Sequence, residues 1–316
     1  MSQTGSKVLV VGSANMDLVV RCERFPAPGE TVFGSAFAML PGGKGANQAV
    51  CCAKLGRYVD FLGRMGRDVF GERLKASMER DGVRLGHLLI DPSEPTGTAL
   101  ITVDGSGQNE ITVVSGCNMK LRPEDLMEHR SAFADAAIVL LQLEIPLDTV
   151  TQAVELAKTN GAVVVLNPAP ACPLSEDLLQ RIDYITPNES EAELLTGIHI
   201  DDIASAEDAA QVLLQKGVQN VIITMGSAGC LLVNHRHMRA FPARRVQPVD
   251  TTAAGDAFNG ALAYALAGST GLGEAIAFAN TVAAYAVSKL GAQTAMPTRR
   301  ELEMFIRTLQ KQRTRL

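Results

Sequence analysis

Short β-branched runs recurring between helical patterns constrain this chain more than any other feature. Val8–Val11, Val59–Leu62, Ala136–Leu143, Val163–Leu166, Tyr184–Thr186 and Val218–Thr224 read as buried strands. Between them, Ala46, Ala49, Val50 and Ala53 keep the i, i+3, i+4, i+7 spacing of one helical face, and Phe258, Ala261, Leu262 and Ala265 repeat it. This alternation predicts an α/β fold, a mostly parallel sheet with helices on its faces. Residues 17–40 and 97–115 break the rhythm. They carry strand-like runs with no helix between, Ala99, Ile101 and Val103 sharing one face and Ile111–Val114 following the turn-forming Asp104–Gly107. A small antiparallel sheet is expected there. Its strands come from separated segments, so it reads as a lid on a single domain spanning residues 1–316 rather than as an independent unit. The chain shows no internal repeat and no linker, and it closes with a helical pattern over Thr298–Gln310.

Composition narrows the function. With 47% hydrophobic and 20% charged residues over 316 positions, the chain can bury a sizeable core and is not disordered. Lys plus Arg number 29 against 34 Asp plus Glu, a net charge of −5 with no basic run longer than a pair such as Arg244–Arg245. A nucleic-acid partner is excluded on that balance. The longest apolar stretches, Ala136–Leu141 and Gly260–Gly268, fall far short of the roughly 20 residues that span a bilayer, and Val8–Val11 is too short for a signal-peptide core. No membrane partner and a cytoplasmic location are expected. The cysteines, Cys22, Cys51, Cys52, Cys117, Cys172 and Cys230, lack C-x-x-C spacing and read as small buried hydrophobes.

Two glycine-containing segments carry chemistry. Pro41-Gly42-Gly43-Lys44-Gly45-Ala46-Asn47 places three glycines at the start of an amphipathic helix, where backbone amides can approach a polar ligand and Lys44 and Asn47 share a face. It is not a P-loop, because Gly45 stands where that motif needs a hydroxyl. Asp250-Thr251-Thr252-Ala253-Ala254-Gly255-Asp256 is sharper. Small residues leave the amides of Ala253, Ala254, Gly255 and Asp256 uncovered at a helix N-terminus, a pocket for developing phosphate charge. Asp256, in the first turn, can take a hydroxyl proton as that hydroxyl attacks phosphorus; the plainer reading is that it complements the dipole while Thr252 caps the helix.

Further polar groups stand where strands of an α/β sheet deliver ligands. Asn15 and Asp17, two apart, are expected at the end of the first strand, and Glu144 follows the run Ala136–Leu143. Such groups hold sugar hydroxyls, or else serve turns and caps. Asn188 and Glu191 share a helical face, which fits either magnesium through bound water or a capping box. Thr224–Gly229 follows a strand and can admit nucleotide phosphates or form a plain turn.

GGKGANQA at 42–49 and DTTAAGDAFNGAL at 250–262, with VVGSANMD at 10–17, NESEAE at 188–193 and KLGAQ at 289–293, resemble the ribokinase family of ATP-dependent sugar kinases, the PfkB group, over essentially the whole chain. The resemblance implies a three-layer α/β/α fold with a small β-lid that closes over the sugar and forms a homodimer contact. It implies Asp256 as the base and the amides of Ala253 to Asp256 as an anion hole. It further implies sugar contacts from Asn15, Asp17, Gly43, Lys44, Asn47 and Glu144, with Ala99, Ile101 and Val113 as apolar lid contacts. Asn188 and Glu191 match the magnesium and phosphate region, and Thr224, Gly226, Gly229 and Asn280 the nucleotide-binding positions. A potassium site would use Asp250, Thr252 and the carbonyls of Ala286, Lys289 and Gly291. There the chain departs from the family, with Ala295 in place of a frequent serine and Leu290 in place of a basic residue.

The activity so implied is transfer of the ATP γ-phosphoryl group to the 5-hydroxyl of D-ribose. Deoxyribose, fructose or an amino-sugar derivative are the rival substrates. A purine nucleoside fits the small aliphatic lid residues poorly. A sugar-binding regulator on a kinase scaffold is the rival of another class.

Overall fold

The computed structural model describes residues 7–313. Nine strands form the large sheet in the order β13 (Met238–Phe241), β12 (Cys230–Asn234), β11 (Asn220–Thr224), β10 (Tyr184–Ile185), β9 (Val163–Leu166), β8 (Ala136–Leu141), β1 (Lys7–Val11), β4 (Tyr58–Gly66) and β5 (Arg84–Asp91). From β11 to β5 all neighbours run parallel; β12 and β13 add an antiparallel edge. Strands so placed are buried on both faces, which is why β1 reads as an unbroken apolar run. Val8 and Val10 enter one core layer and Leu9 and Val11 the other.

Helices cover both faces. On one lie α1 (Lys44–Lys54), α2 (Val69–Arg80), α8 (Ala254–Ala267), α9 (Leu272–Val287) and α10 (Arg299–Arg313). On the other lie α3 (Pro123–Glu128), α4 (Leu147–Thr159), α5 (Glu176–Leu179), α6 (Glu189–Thr196) and α7 (Ile203–Gln215). The strand order reverses at β1, which stands between β4 and β8. In such a sheet the ligand crevice opens beyond the carboxyl ends of the strands at that switch point. The last helix begins one residue later and runs three further than Thr298–Gln310. No helix among the described residues is long and apolar enough to cross a membrane.

The small sheet has the order β3 (Gly34–Gly42), β2 (Asn15–Cys22), β6 (Gly97–Val103), β7 (Asn109–Val114). It is mixed, not antiparallel as expected: β2 and β6 pair parallel while β3 and β7 flank them antiparallel. Parallel pairing is available because a long excursion through β4 and β5 separates β2 from β6. Asn15 and Asp17 consequently begin β2, after the bend Gly12–Ala14, instead of ending β1. All six cysteines are free, and all but Cys172 are buried.

Candidate active site

Polar residues cluster where the apolar strands end. Gly12–Asn15 follow β1, Gln142 and Glu144 follow β8, Asn167 follows β9, Thr186 follows β10, and Thr224 closes β11. Into the same end of the sheet point the N-termini of α1 and α8.

The turn into α1 depends on Gly43. Its φ of 85° lies in the left-handed region, and a Cβ there would stand 2.6 Å from the Asn15 amide nitrogen and 2.7 Å from the Ala14 Cα. Only glycine lets the loop lie against β2. The Lys44 amide then donates to Glu144 Oε2 at 3.0 Å, and the Ser13 hydroxyl donates to the same oxygen at 2.5 Å. Asn118 Nδ2 donates to Asn15 Oδ1 at 2.6 Å, which fixes the side-chain oxygen of Asn15 as an acceptor and leaves its nitrogen as the donor end.

At α8 the N-cap is Ala253, not Thr252, with φ 60° and no side-chain cap. A non-glycine residue there is strained. The Ala254 amide reaches the Thr251 carbonyl, and the Ala257 amide that of Ala253. Those of Gly255 and Asp256 have no partner among the described residues, so the positive end of the helix stays bare. Asn259, fixed by the Thr186 hydroxyl at 2.6 Å, donates to the Gly255 carbonyl at 2.9 Å. Asp256 is buried, and Asn47 Nδ2 donates to its Oδ2 at 2.9 Å and Gln48 Nε2 to its Oδ1 at 3.0 Å.

Two clefts meet in this region. One is polar, lined by Lys44, Asn188, Glu191, Thr224, Ala253, Ala254, Gly255 and Asp256, with Asn167, Thr186 and Asn259 at its floor. The other lies under the small sheet and is lined by Asp17, Val19, Arg21, Leu40, Ile101, Ile111, Asp250, Thr252, Leu290 and Gly291. Thr251 lines both. Register places Asp17, Ala99 and Val113 on one rung of the small sheet, and Val19, Ile101 and Ile111 on the next rung of the same face.

Charge is concentrated here. Burial pushes the Asp17 carboxyl up to about 7, and Glu144 and Asp256 add to the rise. Burial raises Asp256 as well, against the pull of Lys44 and the two amide donors. It also draws the Lys44 ammonium down, but Asp256, Glu144 and Glu191 outweigh it and hold the group above its ordinary value. Glu191 is raised by burial, while the Asn188 amide and Lys44 oppose the shift.

Other expected positions are more dispersed. Asn188 and Glu191 form the reciprocal capping box of α6 and still face the polar cleft. Thr224 lines that cleft, with the turn Gly226–Gly229 continuing beyond it. The Asn280 side chain lies outside both clefts, donating to the Phe241 carbonyl at 3.2 Å. Asp250 accepts from the amides of Thr252 and Gly291, each at 2.9 Å. Burial pushes it up, but those bonds, the Thr252 hydroxyl and Arg21 hold it below the usual range. The Ala286 carbonyl accepts from the Lys289 amide at 3.0 Å, and Ala295 is buried.

Sequence reasoning missed Ser13, Gln48, Asn118, Gln142, Asn167, Thr186 and Asn259. A signal existed for some of them: Gln142 and Asn167 are the first polar residues after apolar strands, the place where parallel sheets present ligands.

The model of the pfkB family of carbohydrate kinases matches residues 6–299. The chain is 43% identical over 297 residues to a ribokinase of Haemophilus influenzae, covering 94% of this chain and 97% of that one. It is 37% identical over 292 residues to a deoxyribokinase of Salmonella typhi, covering 92% and 95% respectively. Among solved structures it is similar to an Arabidopsis thaliana ribokinase complexed with ribose and ATP, with a TM-score of 0.90, 35% identity, and coverage of 96% of this chain and 99% of that one.

Proposed function

This chain belongs to the pfkB family of carbohydrate kinases, and from that premise we infer that it transfers the γ-phosphoryl group of ATP to the 5-hydroxyl of D-ribose. The observation that carries the reading is the position of the Asp256 carboxylate beside the bare amides of α8, tied by Asn47 to the helix that presents Lys44.

In this reading the sugar lies under the small sheet, which acts as a lid on one domain. Asn15 donates to it, and Asp17 and Glu144 accept from its hydroxyls. Gly43, Lys44 and Asn47 complete the polar wall, with Ala99, Ile101 and Val113 above. The Asn47 Oδ1 is buried and has no partner among the described residues, and in this reading a sugar hydroxyl donates to it once the lid closes. An orphan acceptor of that kind is costly until a ligand donor fills it. Asp256 takes the proton of the attacking hydroxyl. The amides of Ala253, Gly255 and Asp256 and the Lys44 ammonium meet the charge on the phosphoryl oxygens, the Ala254 amide being taken by the Thr251 carbonyl, and closure of the lid excludes water. ATP lies along the polar cleft toward Thr224, Gly226 and Gly229, with Asn280 behind them supporting the Phe241 carbonyl.

Magnesium, when bound with ATP, would supply neutralisation of phosphate charge. Glu191 would hold it through water, since the residue lines the polar cleft and a single carboxylate oxygen is given to the Asn188 amide. Among the described residues no group of three His, Cys, Asp or Glu stands close enough to hold a metal ion by itself. For potassium, Asp250, Thr252 and the carbonyls of Ala286, Lys289 and Gly291 are the proposed ligands, with water in place of the hydroxyl that Ala295 lacks. The exposed apolar outer face of the lid supports a homodimer through that sheet, and the protein is proposed to be cytoplasmic.

The Salmonella typhi relative makes 2-deoxyribose the second substrate to weigh. Sites built to bind a hydroxyl reject the analogue lacking it, and the Asn15 donor and the Asn47 acceptor favour the fuller polyol. ADP release measured with ribose, 2-deoxyribose and fructose, each in potassium and in sodium buffer, tests these assignments together. Higher kcat/KM for ribose is expected, with a further gain in potassium. Release no faster with any sugar than without would leave a binding protein on a kinase scaffold.

A further inference from the structure

Behind Asp256 lies a chain of buried amides that begins at Gln48. A carboxylate only accepts, so the end of the Gln48 amide 3.0 Å from Asp256 Oδ1 is its nitrogen. That assignment fixes the next. Gln48 Oε1 faces the other way, where Gln142 Nε2 donates to it at 2.6 Å, and Gln48 Nε2 donates a second time to Asn167 Oδ1 at 3.0 Å. Asn167 Nδ2 in turn donates to the Thr186 carbonyl at 3.4 Å. Gln48 and Gln142 are buried and line neither cleft.

Nothing in the packing calls for an amide at 142. The residue follows the apolar run Ala136–Leu141, and its own Oε1 is buried without a partner, which an apolar side chain would avoid. What the amide does supply is polarity: by donating to Gln48 Oε1 it keeps the Gln48 amide from turning its oxygen toward Asp256. With Gln48 on Oδ1 and Asn47 on Oδ2, the carboxylate plane is pinned at both ends.

We propose that Gln48 is a positioning residue for phosphoryl transfer, held in its working orientation by Gln142, and that the pair fixes the rotation of the Asp256 carboxylate toward the sugar hydroxyl. The inference rests on reading Asp256 as the base. Because both glutamines are fully buried and act through the Asp256 carboxylate, their loss should appear in kcat and not in KM.

The test is steady-state ADP release by the full chain as wild type, Gln48→Met, Gln142→Met, the double variant and Asp256→Asn, with ribose and ATP varied. Gln48→Met is expected to lower kcat about tenfold or more with the ribose KM within about threefold. Gln142→Met should give a smaller loss of the same kind, and the double variant should match Gln48→Met alone, since Gln142 acts through Gln48. Unchanged kcat in Gln48→Met, a loss carried by KM, or losses that multiply in the double variant would overturn the proposal. Should Gln48→Met not fold, Gln142→Met decides by itself, because it leaves every contact to Asp256 in place; unchanged kcat there removes the pair. Full turnover in Asp256→Asn would instead remove the base assignment, whereas its collapse beside a normal Gln48→Met would remove only the positioning role.

Discussion

The Asn47 amide and the Asp256 carboxylate are 209 residues apart in the chain and 2.9 Å apart in the fold. One comes from the glycine-rich start of α1, the other from the bare start of α8, so neither motif makes a complete site. Their junction is maintained by close helix packing at Gly260, where a Cβ would stand 2.7 Å from the Gln48 carbonyl oxygen and 2.7 Å from the Cys51 Cβ.

Asp256→Asn keeps the shape of that junction while removing the proton acceptor. The variant is expected to lose turnover by about a thousandfold or more, with the ribose KM changing little, as for a group acting chiefly in the transition state. Coupled measurement of ADP release decides it, and wild-type kcat would take Asp256 out of the mechanism.

Asp17, read as a sugar ligand, is expected to make sugar binding depend on pH. With its carboxyl pushed up to about 7, protonation below that pH removes the negative charge that strengthens its bond to a hydroxyl, so the ribose KM should rise roughly tenfold in all toward pH 5. Asp17→Asn should show a high KM without that slope.

Stability runs in the opposite sense. The folded state holds a proton on Asp17 between its ordinary value of 3.8 and about 7, so the favourable contribution is complete below 3.8 and lost as pH rises through 7. Asp17→Asn should therefore be more stable than wild type at pH 8, by about 2 kcal/mol after allowance for water in the cleft, with the gain vanishing near pH 4. Thermal melts at the two pH values test the sign.

The fold and the two glycine segments were legible because their signals are local. Period-2 and period-3.6 patterns give the strands and helices, and glycine before a helix betrays a backbone that must approach something. Non-local pairing was not legible: β2 and β6, whose residues Asp17 and Ala99 stand opposite, join parallel across an excursion that no local pattern records. The amides of Gln48, Gln142 and Asn167 were missed for a different reason. A place just after an apolar strand marks Gln142 and Asn167 as candidates, but only an amide's partners show whether it orients a carboxylate or closes a turn. Asn280 illustrates the converse, a matched position whose side chain is spent on the Phe241 carbonyl.

Gly260→Ala separates helix propensity from packing. In an isolated helix the change would gain up to about 1 kcal/mol. Here the backbone of α1 occupies the space, and α8 must move. A net loss of about 1–3 kcal/mol is expected by urea denaturation, together with reduced kcat as Asp256 draws away from Asn47 and Gln48. A variant both more stable and fully active would show that the helix contact does not set the site.

The lid's outer face offers the last test. Inward residues of the small sheet such as Asp17, Val19 and Ile101 line the cleft beneath it, while Val20, Phe37, Leu100 and Val114 point the other way and are between 36% and 61% exposed. Four apolar side chains on one face of a thin sheet form a patch that solvent does not favour, and β3 and β7 leave edges unpaired at either side. A second copy of the sheet laid against this face would bury the patch, and a two-fold arrangement uses the same residues from both copies. Leu100→Lys places a charge at its centre. Light scattering should then give the mass of one chain where the wild type gives two, and the ribose KM should rise several-fold as the lid loses its support, with kcat at saturation little changed. A wild type that runs as a single chain at all concentrations would remove the dimer and leave the exposed face without this explanation.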